Sequence, residues 1–104
     1  MPFAHNKDYK FAHLINVDET QEQSVLLDSE GFLNIALIAI ADTATTFKVF
    51  VSNNAEDWIL AYESPSPETD YIGKINIPVR FVKLVSLPAG NNGDKVSLSI
   101  SAKP

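Results

Sequence analysis

The sequence predicts an all-β fold, an antiparallel β-sandwich of jelly-roll-like kind with about seven or eight short strands. Three observations carry that expectation. Apolar and polar residues alternate at period two in short runs, most cleanly where Val96, Leu98 and Ile100 oppose Ser97, Ser99 and Ser101. Clusters of turn formers interrupt these runs, as at Asp28-Ser29-Glu30-Gly31 and Pro88-Ala89-Gly90-Asn91-Asn92-Gly93-Asp94. No amphipathic stretch of helical period exceeds two turns, and short hairpin-type connections favour antiparallel pairing.

The elements follow in order. Residues 1–23 read as an N-terminal arm or edge segment, and residues 24–104 as the sandwich domain. Within the arm, Phe11, His13, Ile15 and Val17 fall on one face of a potential strand, and Asp18 to Gln23 is wholly polar. Ser24 to Leu27 is a short strand. Phe32 to Ile40 is apolar apart from Asn34, a pattern that suits a strand covered on both faces or a central strand at a subunit contact, with a short helix as the competing reading. Phe47, Val49 and Val51 alternate with Lys48 and Ser52, while Phe50 breaks the polar face and is expected to cover a second apolar surface. A polar turn, Ser52 to Asp57, then leads to a second strand opened by Trp58, the only tryptophan. Two prolines, Pro65 and Pro67, make the next segment a loop. Tyr71 to Ile77, Val79 to Leu87 and Val96 to Ile100 supply the remaining strands, the last two joined by a hairpin loop in which Asn92-Gly93 favours positive φ.

Size and charge bound the function. At 104 residues the chain makes one domain with a single core. Mean hydropathy is near zero and no apolar run approaches the ~18 residues of a membrane span. The N-terminus lacks a signal-peptide pattern, so synthesis in the cytoplasm is expected. The absence of cysteine removes disulfides, thiolate metal sites and cysteine nucleophiles. A net charge of −5 with eight scattered cations disfavours nucleic-acid binding.

No candidate site assembles a catalyst. His5 and His13 lack a nucleophile placed by any motif, so His13 reads as strand filling. Glu63, Glu68 and Asp70 flank a loop and read as solvated charge rather than a glycosidase pair. The acidic run Asp18, Glu19, Glu22, Asp28 and Glu30 does not match a calcium loop and reads as solvated charge or a docking face for a basic partner. No cofactor and no metal are expected. Phe3, Tyr9 and Phe11 are costly to leave in water and are expected to anchor against the domain or another subunit. Asn53, Trp58 and Tyr62 are candidates for a sugar platform, with Trp58 stacking on a ring. The competing and favoured reading makes Trp58 core and Asn53 to Asp57 a turn.

Phe47 to Trp58, FKVFVSNNAEDW, resembles the strand-turn-strand of discoidin-like sandwich domains, with Asn54-Ala55 in place of their usual Asp-Gly. Ile77 to Leu84, IPVRFVKL, is similar to a later strand of the same domains. Followed by the Gly/Asn-rich hairpin and final strand Gly90 to Ala102, the combination also resembles small β-sandwich virion proteins of tailed bacteriophages. That resemblance implies a non-enzymatic capsid decoration or cement role. The chain would be a homo-oligomer, a trimer, bound to the major capsid protein or another virion protein. Its arm, with Phe3, Tyr9, Phe11, Asp18, Glu19 and Glu22 as contacts, would order on assembly. The alternative is a carbohydrate-binding module using Asn53, Trp58 and Tyr62.

Overall fold

A computed structural model describes residues 9–104. Eight strands run β1 (Lys10–Asp18), β2 (Gln23–Asp28), β3 (Asn34–Thr45), β4 (Phe47–Ser52), β5 (Ile59–Glu63), β6 (Glu68–Ile75), β7 (Phe81–Ser86) and β8 (Lys95–Lys103). Sheet A has the order β1-β8-β3-β6 and sheet B the order β2-β7-β4-β5. The first strand pairs with the last, the second with the seventh, the third with the sixth and the fourth with the fifth, all antiparallel. The chain is thus one long hairpin folded over itself into two sheets, which is the strand order of a jelly roll. The expected sandwich is the fold found.

Period-two alternation puts one face of each sheet inside. Ile35, Leu37 and Ala39 of β3 meet Phe47 and Val49 of β4, Val82 and Leu84 of β7, and Val96, Leu98 and Ile100 of β8 in one buried cluster. Tyr71 of β6 closes this core at one side, its ring 5.6 Å from that of Phe47. The change of sheet between β3 and β4 takes a single residue, Thr46. Two reciprocal bonds hold this corner: Phe47 N donates to Ser64 Oγ at 3.0 Å, and Ser64 N donates to Phe47 O at 2.9 Å.

Residues 10–18 form β1, the edge strand of sheet A, paired with β8 on either side of a register shift between Leu14 and Val17. Several expectations are corrected. Phe11, His13, Ile15 and Val17 do not share one face. Asn16 adopts φ 53° at a register shift between Leu14 and Val17, which turns Val17 inward with Ala12 and Leu14 and leaves Phe11 and Ile15 outward. An asparagine tolerates this left-handed conformation better than a branched residue would. The Phe32 to Ile40 segment is a strand from Asn34 and is covered on one face only, since Ile38 and Ile40 are exposed. Trp58 is not core: it lies half-buried on the outer face of sheet B.

Candidate functional site

The outer face of sheet A is built by the residues that alternate with the core. Strand register sets them in rows. Phe11, Ser101, Ala36 and Lys74 form one row across β1, β8, β3 and β6. His13, Ser99, Ile38 and Ile72 form the next. Ser97, Ile40 and Asp70 continue it, with the β1 bulge at their side, where Asn16 N donates to Ser97 Oγ at 2.9 Å. Between its terminal lysines, Lys95 and Lys103, every outward residue of β8 is a serine. That strand is therefore a shallow polar trough between an aromatic and isoleucine ridge on β1 and an isoleucine ridge on β3 and β6. Phe11, Ile15, Ile38, Ile40 and Ile72 are between 45% and 79% exposed. Exposed apolar groups this closely arranged mark interaction surfaces in soluble proteins.

At one end the face deepens into an open groove of about 510 Å³. Tyr9, just before β1, and Phe11 in β1 line it on one side, Lys74 and Asn76 line it from the β6 side, and Ser101 and Lys103 from β8. Tyr9, Phe11 and His13 form a ladder of rings along the sheet edge, with centroids 6.2 and 5.9 Å apart. Asn34 stands at the groove and donates from Nδ2 to the carbonyl of Pro104 at 2.9 Å.

The residues singled out in the sequence are distributed as follows. Tyr9 and Phe11 come together on this face, while Phe3 lies outside the described residues. Asp18 caps its own turn: Thr20 donates to it from N and Oγ1 at 2.9 and 2.6 Å, and these bonds hold its carboxyl below the usual carboxylate range. Glu19 is fully buried and is not a surface contact. Its Oε1 accepts from Thr43 N at 2.9 Å and its carbonyl accepts from Ala89 N at 3.0 Å, so it ties the β1–β2 turn to the end of β3 and the β7–β8 loop. Glu22 is exposed. The rest of the acidic run is not free of cations. Arg80 donates to both carboxylate oxygens of Asp28 at 2.6 and 2.9 Å, and Lys10 pairs with Glu30 at 3.2 Å. The Arg80 bonds draw the Asp28 carboxyl down to about 2.

Asn53, Trp58 and Tyr62 are not assembled into one site. Asn53 Oδ1 accepts from Arg80 N at 3.0 Å and anchors the turn. The turn satisfies itself around Asn54, whose Oδ1 accepts from Glu56 N and Asp57 N. Trp58 has the ammonium of Lys83 4.4 Å from its ring centre, with Phe50 on the same cation at 5.5 Å. A register shift in the β4–β5 pair aligns Leu60 with Phe50 and Tyr62 with Val49, so Tyr62 points to the opposite side of sheet B from Trp58. Among the described residues, no group of three or more histidine, aspartate or glutamate side chains is arranged to hold a metal ion.

No protein-family model matches the chain, and no curated protein matches it in sequence. Solved structures do match in fold. The SPBc2 prophage-derived protein YomS superposes with a TM-score of 0.65 at 9% identity, covering 91% of this chain and 95% of that one. Chitosan-binding module 1 of a chitosanase/glucanase from Paenibacillus sp. IK-5 gives 0.56 at 13% identity, covering 86% and 74%. A structure of CBM51-2, in complex with GlcNAc, and INT domains from Clostridium perfringens ZmpB gives 0.54 at 18% identity, covering 77% of this chain and 20% of that one. These likenesses establish a shared sandwich fold.

Proposed function

We propose that this chain is a non-enzymatic structural protein of a bacteriophage particle, which binds the major capsid protein or another virion protein through the outer face of sheet A. The observation that carries this reading is the exposure of Ile38, Ile40 and Ile72, with Phe11 and Ile15, on one outer sheet face. Burying such a face gains about 25 cal/mol per Å² of apolar surface, before the costs of association. The fold match to a prophage-derived protein, over nearly the whole of both chains, supports it. The chain's net charge of −5 favours a cationic partner and orients the encounter.

Mass spectrometry of particles made by the genome that encodes this chain tests the reading. The chain should co-purify with intact particles in fixed stoichiometry and be lost from them when it carries I38D. Its absence from washed particles overturns the reading.

The groove at Tyr9 and Phe11 favours a second reading, carbohydrate binding, by a different route from Trp58. Two tilted rings beside Asn34, Asn76 and Ser101 offer a stacking wall and hydroxyl partners. Calorimetry with chitosan oligomers and GlcNAc, on the wild type and on Y9A, separates the two readings: heat that Y9A abolishes supports the glycan site.

A further inference from the structure

We propose that two copies of this chain pair antiparallel through β6, edge to edge, in a register centred on Ile72. This goes beyond the virion reading and does not rest on it.

β6 is an open edge of sheet A, held on one side by β3 in unbroken register from Asp70 to Ile75. Its sequence across that stretch is self-complementary about Ile72. In an antiparallel pair with its two-fold axis at Ile72, Asp70 of each copy stands opposite Lys74 of the other, and the two Ile72 side chains meet. Ile72 is the most exposed large apolar residue among the described ones, at 79%. Asp70 and Lys74 are both exposed, and among the described residues neither has an ion-pair partner. On the inner side, Tyr71 folds over Gly73 of its own chain and against Phe47, so its ring stays in its own core and leaves the edge free of bulk. A lone lysine on an edge deters pairing. An aspartate at the symmetry-related position turns the deterrent into a matched pair for one partner, a second copy.

The other edges lack this match. β1 has Lys10 and Asp18 at related positions, but a bulge at Asn16 breaks its line, and Lys10 is held by Glu30 while Asp18 is bonded to Thr20. β2 and β5 carry no cation at all. Pairing β6 joins two copies of sheet A into one eight-stranded sheet. It closes at a dimer, not at the trimer expected from the sequence.

Light scattering and sedimentation on the full chain test this. The wild type should be a dimer. D70K and K74D each set like charges face to face at both symmetry-related pairs, so each alone should associate roughly tenfold to a hundredfold more weakly. Mixed in equal amounts, the two restore opposite charges and should form a heterodimer. Far-UV circular dichroism confirms that each variant is folded. Because the chain has no cysteine, I72C gives an independent readout. Directly opposed residues of an antiparallel pair lie about 4.5–5.5 Å apart at Cα, within disulfide reach. Oxidised I72C should run as a covalent dimer and oxidised I59C as a monomer. A wild type that is monomeric at every concentration overturns the proposal. So do folded variants that fail to associate when mixed, and an I72C chain that does not cross-link.

Discussion

Placing threonine at Leu37 and then, separately, at Ile38 probes the division of β3 into a core face and a binding face. The two residues are neighbours on one strand, yet Leu37 is fully buried and Ile38 is 45% exposed. Threonine is β-branched and favoured in strands, so backbone preference penalises neither change. L37T leaves a cavity within the buried cluster and buries a hydroxyl. Cavity formation alone costs about 2–5 kcal/mol, and an unsatisfied hydroxyl adds about 1–3. At a urea dependence of ~1.5 kcal/mol per M, a loss of ~3 kcal/mol lowers the unfolding midpoint by ~2 M. I38T removes apolar surface that already meets water, so its effect should stay within about 0.5 kcal/mol, or ~0.3 M. The assay is urea unfolding followed by far-UV circular dichroism, with unchanged slope, at protein concentrations low enough to keep copies apart. Equal losses for both variants would refute the assignment of Ile38 to an open face.

Other expectations follow from the same structure. Ala55 holds φ 63°, where discoidin-like turns place glycine, so A55G should stabilise the fold by about 0.5–1 kcal/mol, seen as a raised thermal midpoint. W58A should cost less than the ~3–5 kcal/mol of a core aromatic, and Trp58 fluorescence should be quenched by iodide, since the ring is only half-buried beneath Lys83. Asp28 has its carboxyl lowered from 3.8 to about 2 by Arg80, so the pair stabilises the fold above pH 4 and that contribution disappears as pH falls through 2. NMR titration of Asp28 should give a midpoint near 2, and D28N should remove that part of the acid dependence. Glu19→Ala should loosen the β1–β2 turn, with faster amide exchange at Thr43 as the readout, because the carboxylate accepts from that amide.

The alternation of small serine and large aliphatic side chains made β8 legible down to its inward and outward faces. Turn clusters located the remaining strands, and all-β antiparallel sandwich follows from those two signals. The outer face of β3 was hidden because Ile35 to Ala41 is apolar throughout, and an unbroken apolar run carries no period to separate core from surface. Only its pairing with the serines of β8 and with Asp70, Ile72 and Lys74 of β6 identifies which isoleucines face out. The β1 register was illegible for a different reason: one residue at positive φ, Asn16, reverses the alternation midway. The size of Trp58 favours burial in any reading of the sequence alone, whereas Lys83 and Phe50 give it a partial shelter on the outer surface of sheet B. The polar neighbours of Glu19 point to a surface charge, and no local signal shows that the β7–β8 loop closes over it.

Particle occupancy, measured side by side for the wild type, I38D and K83E, tests the account most directly. I38D alters the outer face of sheet A and K83E that of sheet B, and both are expected to fold. The account predicts that wild type and K83E bind particles alike and that I38D is lost. Full occupancy by I38D, or loss of K83E alone, would contradict it.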